Sequence, residues 1–279
     1  MVLPTAISTP AALDIRWYWR EVADVPYLTC SLLDGFDHGF FTHHAEGRSP
    51  ASLAALLHPG VPAYHTRQVH GNSILTPTEI GVRPNESTGA DALPAADGTL
   101  SDRPQQSMWT ASADCTPALV TDINSGRAAA VHAGWRGTAR RILPCAIARF
   151  LAAGSRLDDL RVAMGPAIAG AVYQVDTSVA AEVGASLFPE LSSATAALLT
   201  VLRALPDPPV LPDSQPNKAR LDVRRINALQ LLQLGLPPER IAIAPHCTYQ
   251  EPERFFSYRR TRKKAVQWSG IVSRSPASA

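Results

Sequence analysis

The sequence predicts an α+β domain of layered mixed sheets flanked by helices. Three observations point there. Short apolar runs at 27–33, 106–111, 116–122 and 160–164, several of them bounded by turn residues, read as strands. The run 221–234 is amphipathic at helical spacing, with Asp222 near its start and Gly235 after its end. Strand and helix signals are interspersed without a regular βαβ rhythm. At about 150 residues per domain, 279 residues allow one large or two small domains, and 46% hydrophobic content can bury a sizeable core. We read one domain over 1–279, with a core of about 26–273, a loose tail at 1–13 and an irregular insertion at 189–218.

The elements follow in order. Residues 15–20 are aromatic and β-rich, and 38–42 are a short strand. Residues 52–57 read as a short helix ended by His58-Pro59-Gly60. Strands at 64–69 and 73–76 flank His70, and the Pro/Gly/Asn-rich span 77–89 reads as a loop. Asp91 reads as a capping or turn residue. The strand at 116–122, the turn Asn124-Ser125-Gly126 and a returning strand at 127–131 form a hairpin. Thr138 is a candidate cap for a helix running to about 153, with Pro144 bending it. The N–H groups at that helix start would favour an anion beside His132. A helix at 177–186, a strand at 240–244 and a strand pair at 254–259 and 266–272 complete the chain.

Composition removes several function classes. With 26 basic and 24 acidic residues the net charge is +2, which demands neither nucleic acid nor an anionic membrane. The basic run at 259–264 is either a solvated hairpin face or a phosphate contact. The four cysteines, Cys30, Cys115, Cys145 and Cys247, are far apart with no CxxC pair, which is no disulfide framework. No signal peptide is legible, and no apolar run approaches the roughly 18 residues of a membrane span. A soluble, cytoplasmic protein is expected, a monomer or small homo-oligomer acting on small molecules.

The hairpin carries the chemistry. Cys115 and His132 stand at the outer ends of its two strands, so pairing brings a thiol beside an imidazole. That pair suits a zinc or copper site or a Cys–His nucleophile. His70, also at an element end, is the candidate third ligand. Two imidazoles and one thiolate leave a fourth position open, as in a catalytic zinc site. Asp114 can orient a ligand, accept a proton or cap a turn. Gly134 and Gly137 suggest close backbone approach to a substrate, and Cys247 reads as a buried structural residue.

The text around these residues carries a resemblance. QVHG at 68–71, ADAL at 90–93, SADCTPAL at 112–119, VHAGWRG at 131–137, GPAI at 165–168, Tyr173-Gln174-Val175, CT at 247–248 and FFSYRR at 255–260 occur in order. The chain resembles the YfiH or laccase-domain family, also called multicopper polyphenol oxidase-like proteins and described as purine nucleoside phosphorylases. The resemblance implies an α/β/β/α sandwich and one zinc held by His70, Cys115 and His132. It implies phosphorolysis of adenosine, inosine, guanosine and methylthioadenosine, with adenosine deamination. On this reading Cys115, His70, His132 and Asp114 are the catalytic candidates, and Arg136, Arg67 and Arg259 serve phosphate or ribose. Tyr258 and Arg259 match FSYRR as pocket-lining candidates. The chain departs from the pattern the resemblance implies at 43–48, where His43 or His44 replaces an expected phosphate-holding Arg and Arg48 or Arg67 is the candidate substitute, and at 261–265. A copper-dependent polyphenol oxidase, a metal-free Cys–His hydrolase and a non-enzymatic zinc protein of cell-wall quality control stand as alternatives.

Overall fold

The computed structural model describes residues 16–81 and 93–277. The tail at 1–13 and Asp91, with most of its sequence block, lie outside them. In chain order the elements are β1 (Trp17–Val22), β2 (Val25–Cys30), β3 (His38–Phe41), α1 (Pro50–Leu57), β4 (Ala63–Tyr64), β5 (Ile74–Leu75), α2 (Pro77–Ile80), β6 (Gly98–Leu100), β7 (Ser107–Ser112), β8 (Thr116–Asp122) and β9 (Ala128–Ala133). There follow α3 (Trp135–Ala139), α4 (Ile142–Ala152), β10 (Leu160–Met164), β11 (Gln174–Asp176), α5 (Thr177–Gly184), α6 (Thr195–Ala204), β12 (Val210–Pro212), β13 (Lys218–Leu221), α7 (Val223–Gln233), β14 (Ile241–Ile243), α8 (Tyr258–Thr261) and β15 (Gln267–Val272).

Two six-stranded sheets make the body, in the orders β1-β2-β3-β15-β7-β4 and β14-β10-β8-β9-β6-β5. The first is antiparallel apart from the β4–β7 pair. The second is parallel only at its two edges, β10–β14 and β5–β6. Strand alternation sorts the side chains into layers. Phe40 and Met108 point between the sheets against Leu119, Ala130 and Ala163, while their neighbours Phe41 and Trp109 point outward onto Leu53 and Ala54 of α1. Val120 and Val131 face the opposite way, onto α4 and α7. The layers run α1, sheet, sheet, α4 with α7, which is the α/β/β/α order the resemblance implies. A third sheet, β11-β13-β12, packs with α5 and α6 beside α7.

Five expectations are corrected. The loop at 77–89 begins with α2, whose Thr76 side chain accepts from the Glu79 N–H while Glu79 accepts from Thr76 N–H. The single helix expected after His132 is two. α3 starts at Gly134, and left-handed Arg141 (φ 59°) breaks the path before α4. Thr138 therefore lies within α3 rather than capping it, and Pro144 sits in the first turn of α4, where a missing N–H costs little. The irregular insertion contains α6, whose Leu198, Leu199 and Leu202 are buried. Its Pro-rich sequel masks that periodicity. α7 is not amphipathic: Val223 through Leu231 are buried, including Arg224, Arg225, Asn227 and Gln230. The polar ones have partners, such as Asn227 Nδ2 to Thr138 Oγ1 at 2.9 Å and Gln230 Nε2 to Ser186 Oγ at 2.7 Å. The stretch at 254–259 is no strand. Ser257 caps α8 there by accepting from Arg260 N–H, and β15 pairs with β3 and β7 instead.

The third sheet shares α7 with the main body, so the molecule should unfold as one unit. Leu198→Ala, which empties a fully buried position in α6, is expected to cost about 2–5 kcal/mol. Denaturant titration should show a single transition moved to lower concentration; a separate early transition would mark an independent unit.

Candidate metal centre and active-site cavity

The β8–β9 hairpin pairs Thr116 with Ala133 and Pro117 with His132. That register puts Cys115, one residue before β8, across from the end of β9. His70 reaches the same point from the turn between β4 and β5. One ligand atom from each of His70, Cys115 and His132 lies within 4.8 Å of the others, near the spacing that bonds of about 2.0–2.3 Å to one ion require. Among the described residues this is the one cluster of three or more His, Cys, Asp or Glu side chains able to share an ion. The two imidazole rings meet edge to face at 4.9 Å.

Asp97 holds the cluster together. It is 1% exposed. Its Oδ1 accepts from the His70 N–H at 2.9 Å and meets His132 Nδ1 at 2.9 Å. Its Oδ2 accepts from the N–H groups of Val69 at 3.1 Å and Gly71 at 2.7 Å. The His70 backbone is left-handed (φ 59°), a conformation that turns successive N–H groups toward one anion. The Asp97 carbonyl also accepts from His132 N–H at 2.7 Å. With Nδ1 engaged, His132 presents Nε2 to the shared point. A carboxylate behind a histidine is the usual support of a metal-binding imidazole. The sequence reading missed Asp97. The available signal was the need of any histidine ligand for a second partner.

Gly134 is required for a different reason than expected. A Cβ there would stand 2.8 Å from Cys115 Sγ, and one at Gly137 would stand 2.9 Å from the Gly71 carbonyl. The close approach is to the cluster and its supporting turn.

Charge follows the geometry. Burial pushes the Cys115 thiol up, but the His132 and His70 imidazoles beside it outweigh burial and hold it well below the ordinary thiol range. Burial pulls His132 down, and the Cys115 sulfur and Asp97 carboxylate more than reverse this. Each group favours the charged form of the other. The donor set of one thiolate and two imidazoles, braced by a buried carboxylate, fits a tetrahedral ion with an open position.

The cluster lies at a cavity of about 580 Å³. Arg67, Ser112, Tyr258, Lys263, Lys264 and Trp268 contribute to its wall. The three predicted arginines therefore separate. Arg67 lines the cavity, whereas Arg259 packs on Tyr173 and Arg136 on Trp135, and neither is in the cavity wall. Arg259 lies 4.8 Å over the Tyr173 ring and donates to the Gln174 carbonyl at 2.7 Å. Arg136 stacks on Trp135 at 4.3 Å. Burial raises the Tyr173 hydroxyl to about 12; Cys115 adds to the rise, and Arg259 and Arg136 oppose it.

Asp114 does not line the cavity. Its Oδ1 accepts from Thr248 Oγ1 at 2.7 Å, and its Oδ2 from Ser257 Oγ at 3.0 Å and Arg259 N–H at 2.7 Å. It ties the segment after β14 to the Cys115 turn. His43 stacks between His44 and Phe256, away from the cavity wall. Arg48 lines a neighbouring depression that shares Val266 and Trp268 with the cavity. Cys247 is buried, and its sulfur accepts from Ala169 N–H at 3.2 Å.

Fold and site together define a class: an α+β sandwich with a His–Cys–His centre suited to one metal ion at the floor of a basic cavity. Residues 46–274 match the family described as multi-copper polyphenol oxidoreductase laccase, and the chain belongs to that family. It is 54% identical over 261 residues to a purine nucleoside phosphorylase of Synechocystis sp., covering 93% of this chain and 98% of the relative. It is 32% identical over 211 residues to the purine nucleoside phosphorylase YlmD of Geobacillus stearothermophilus, covering 74% and 70%. The crystal structure of YlmD from Geobacillus stearothermophilus matches with a TM-score of 0.75 at 26% identity, over 92% of this chain and 99% of that one. The Bacillus licheniformis hypothetical protein YfiH matches with a TM-score of 0.74 at 25% identity, over 92% and 99%. No helix among the described residues is long and apolar enough to cross a membrane.

Two outcomes are expected. Asp97→Ala should weaken metal binding about 10–100-fold, measured by competition with a chromophoric chelator, with all three ligands present. In metal-stripped protein at pH 7, iodoacetamide should label Cys115 faster than Cys145. The advantage should fade as pH falls through the depressed thiol pKa, and added metal should abolish it; peptide mapping by mass spectrometry reads each site.

Proposed function

We propose that the protein is a zinc-dependent purine nucleoside phosphorylase. It converts adenosine, inosine, guanosine and methylthioadenosine with phosphate to the free base and the sugar 1-phosphate, and deaminates adenosine as a side activity. The observation that carries this reading is the convergence of His70, Cys115 and His132 on a cavity with cationic walls, in a chain whose relatives bear that activity in their names. His70, Cys115 and His132 would hold the zinc, which would supply Lewis acidity there.

In phosphorolysis a phosphate oxygen bonds to C1′ as the C1′–N9 bond breaks, and the purine leaves with a proton. The protein must hold an anion against the sugar and keep it oriented. Arg67 projects from the cavity wall toward that role. Arg136 and Arg259 act from the Tyr173 side, on phosphate or ribose. Asp114, with its oxygens occupied, serves by fixing the Arg259 amide and the Cys115 turn. Asp97 keeps the imidazole of His132 in one tautomer. In deamination water adds at C6 of adenine and ammonia leaves, giving inosine.

The family description favours a second reading, a copper-dependent phenol oxidase. One thiolate and two imidazoles can take copper. The single cluster among the described residues argues for one ion rather than several.

The test is a product assay on metal-quantified protein with adenosine, with and without phosphate. Adenine formed only with phosphate, and lost by at least a hundredfold in Cys115→Ala, is the expected result. Inosine formed without phosphate in the same assay establishes the side activity. Oxygen uptake with a phenol that needs added copper, and no nucleoside turnover by zinc-loaded protein, would replace this reading with the oxidase.

A further inference from the structure

The cavity has a cationic wall that the metal cluster and the Tyr173 arginines do not use. Arg67, Lys263 and Lys264 all line it, and among the described residues no carboxylate does. Among the described residues none of the three side chains has an ion-pair partner. Three uncompensated cations around one concave space raise the local concentration of an anion.

The lysines stand on a fixed base. Arg260 donates to the carbonyls of Thr248 at 2.7 Å, Tyr249 at 2.8 Å and Phe255 at 2.6 Å, pinning α8. Ser257 and the Arg259 N–H bind the Asp114 carboxylate. Arg262 ends α8 in the left-handed region (φ 61°), and the chain turns there to bring Lys263 and Lys264 onto the cavity. On the other side the Gln267 side chain accepts from Phe256 N–H at 2.9 Å and anchors the return into β15. The backbone is held at both ends while the ammonium groups stay free.

A second observation points to a ligand. Ser112 is 3% exposed, its Oγ has no hydrogen-bond partner, and it lines the same cavity. A buried hydroxyl without a partner is costly, and an acceptor oxygen arriving in the cavity removes that cost.

We propose that Arg67, Lys263 and Lys264, with the Ser112 hydroxyl, form a phosphate-group site in this cavity, separate from the arginine pair at Tyr173. The chemistry recognised is a phosphate dianion. Its source is either the inorganic phosphate consumed in phosphorolysis or the 5′-phosphate of a purine nucleotide. Only the choice of source rests on the phosphorylase reading.

The experiment measures binding of inorganic phosphate, adenosine 5′-monophosphate and adenosine to metal-loaded protein by calorimetry. It compares the parent with Lys263→Ala/Lys264→Ala and with Lys263→Arg/Lys264→Arg. The alanine pair should weaken phosphate or the nucleotide by about tenfold or more, leave adenosine within about twofold, and leave metal content and melting temperature unchanged. The arginine pair should restore binding. Weakened inorganic phosphate identifies the co-substrate; weakening of the nucleotide alone identifies the 5′-phosphate. Unchanged affinity for both anions in the alanine pair overturns the proposal, as does an equal loss for adenosine. Lysine-dependent phosphate binding by protein that turns over no nucleoside would leave this site standing and remove the phosphorylase reading.

Discussion

One buried carboxylate braces two of the three ligands of this site. Asp97 receives the backbone of the His70 turn through three consecutive N–H groups and the ring of His132 through Nδ1. Burial pushes its carboxyl up, and the bonds from His132, Gly71 and Val69 more than offset this, so it stays ionised below the usual carboxylate range. A neutral side chain cannot accept from four donors. The negative charge also favours the protonated form of the His132 ring. Asp97 thus links two chain segments mechanically and sets their electrostatics. Cys115 is added to this pair by hairpin register alone.

Much of this was legible in the sequence, for identifiable reasons. The 116–122 strand and its turn are local signals, and strand pairing converts them directly into a Cys115–His132 contact. His70 stood at an element end beside a glycine and matched a family block. Asp97 was invisible because its role depends on a turn folding back from distant sequence. α6 was hidden by the proline-rich segment after it. α7 misled because its spacing is helical whichever sides are covered; burial of Asn227 and Gln230 follows from partners on α3 and the α5 end that no window of sequence contains. The residues at 254–259 have strand composition, yet the Ser257 cap and the Asp114 carboxylate impose a turn of helix.

The arrangement also reconciles two descriptions that look incompatible. A thiolate with two imidazoles is shared by copper and zinc chemistry, so the family's oxidase description and its relatives' phosphorylase names fit the same three ligands. The surroundings discriminate between them. Basic side chains on the cavity wall suit an anionic reactant more than a neutral phenol. The stretch at 261–265 places Lys263 and Lys264 on the cavity wall, on a backbone anchored by Arg260.

Strand β15 lies between β3 and β7, and the cavity wall precedes it directly in sequence. A growing polypeptide leaving the ribosome therefore carries all three metal ligands long before it can close the first sheet. Until residues 267–272 emerge, β3 and β7 present unpaired edges, and the floor of the site lacks its far wall. Synthesis of the three candidate ligands and completion of the first sheet are thus separated in time, with β15 the last of the described strands to join.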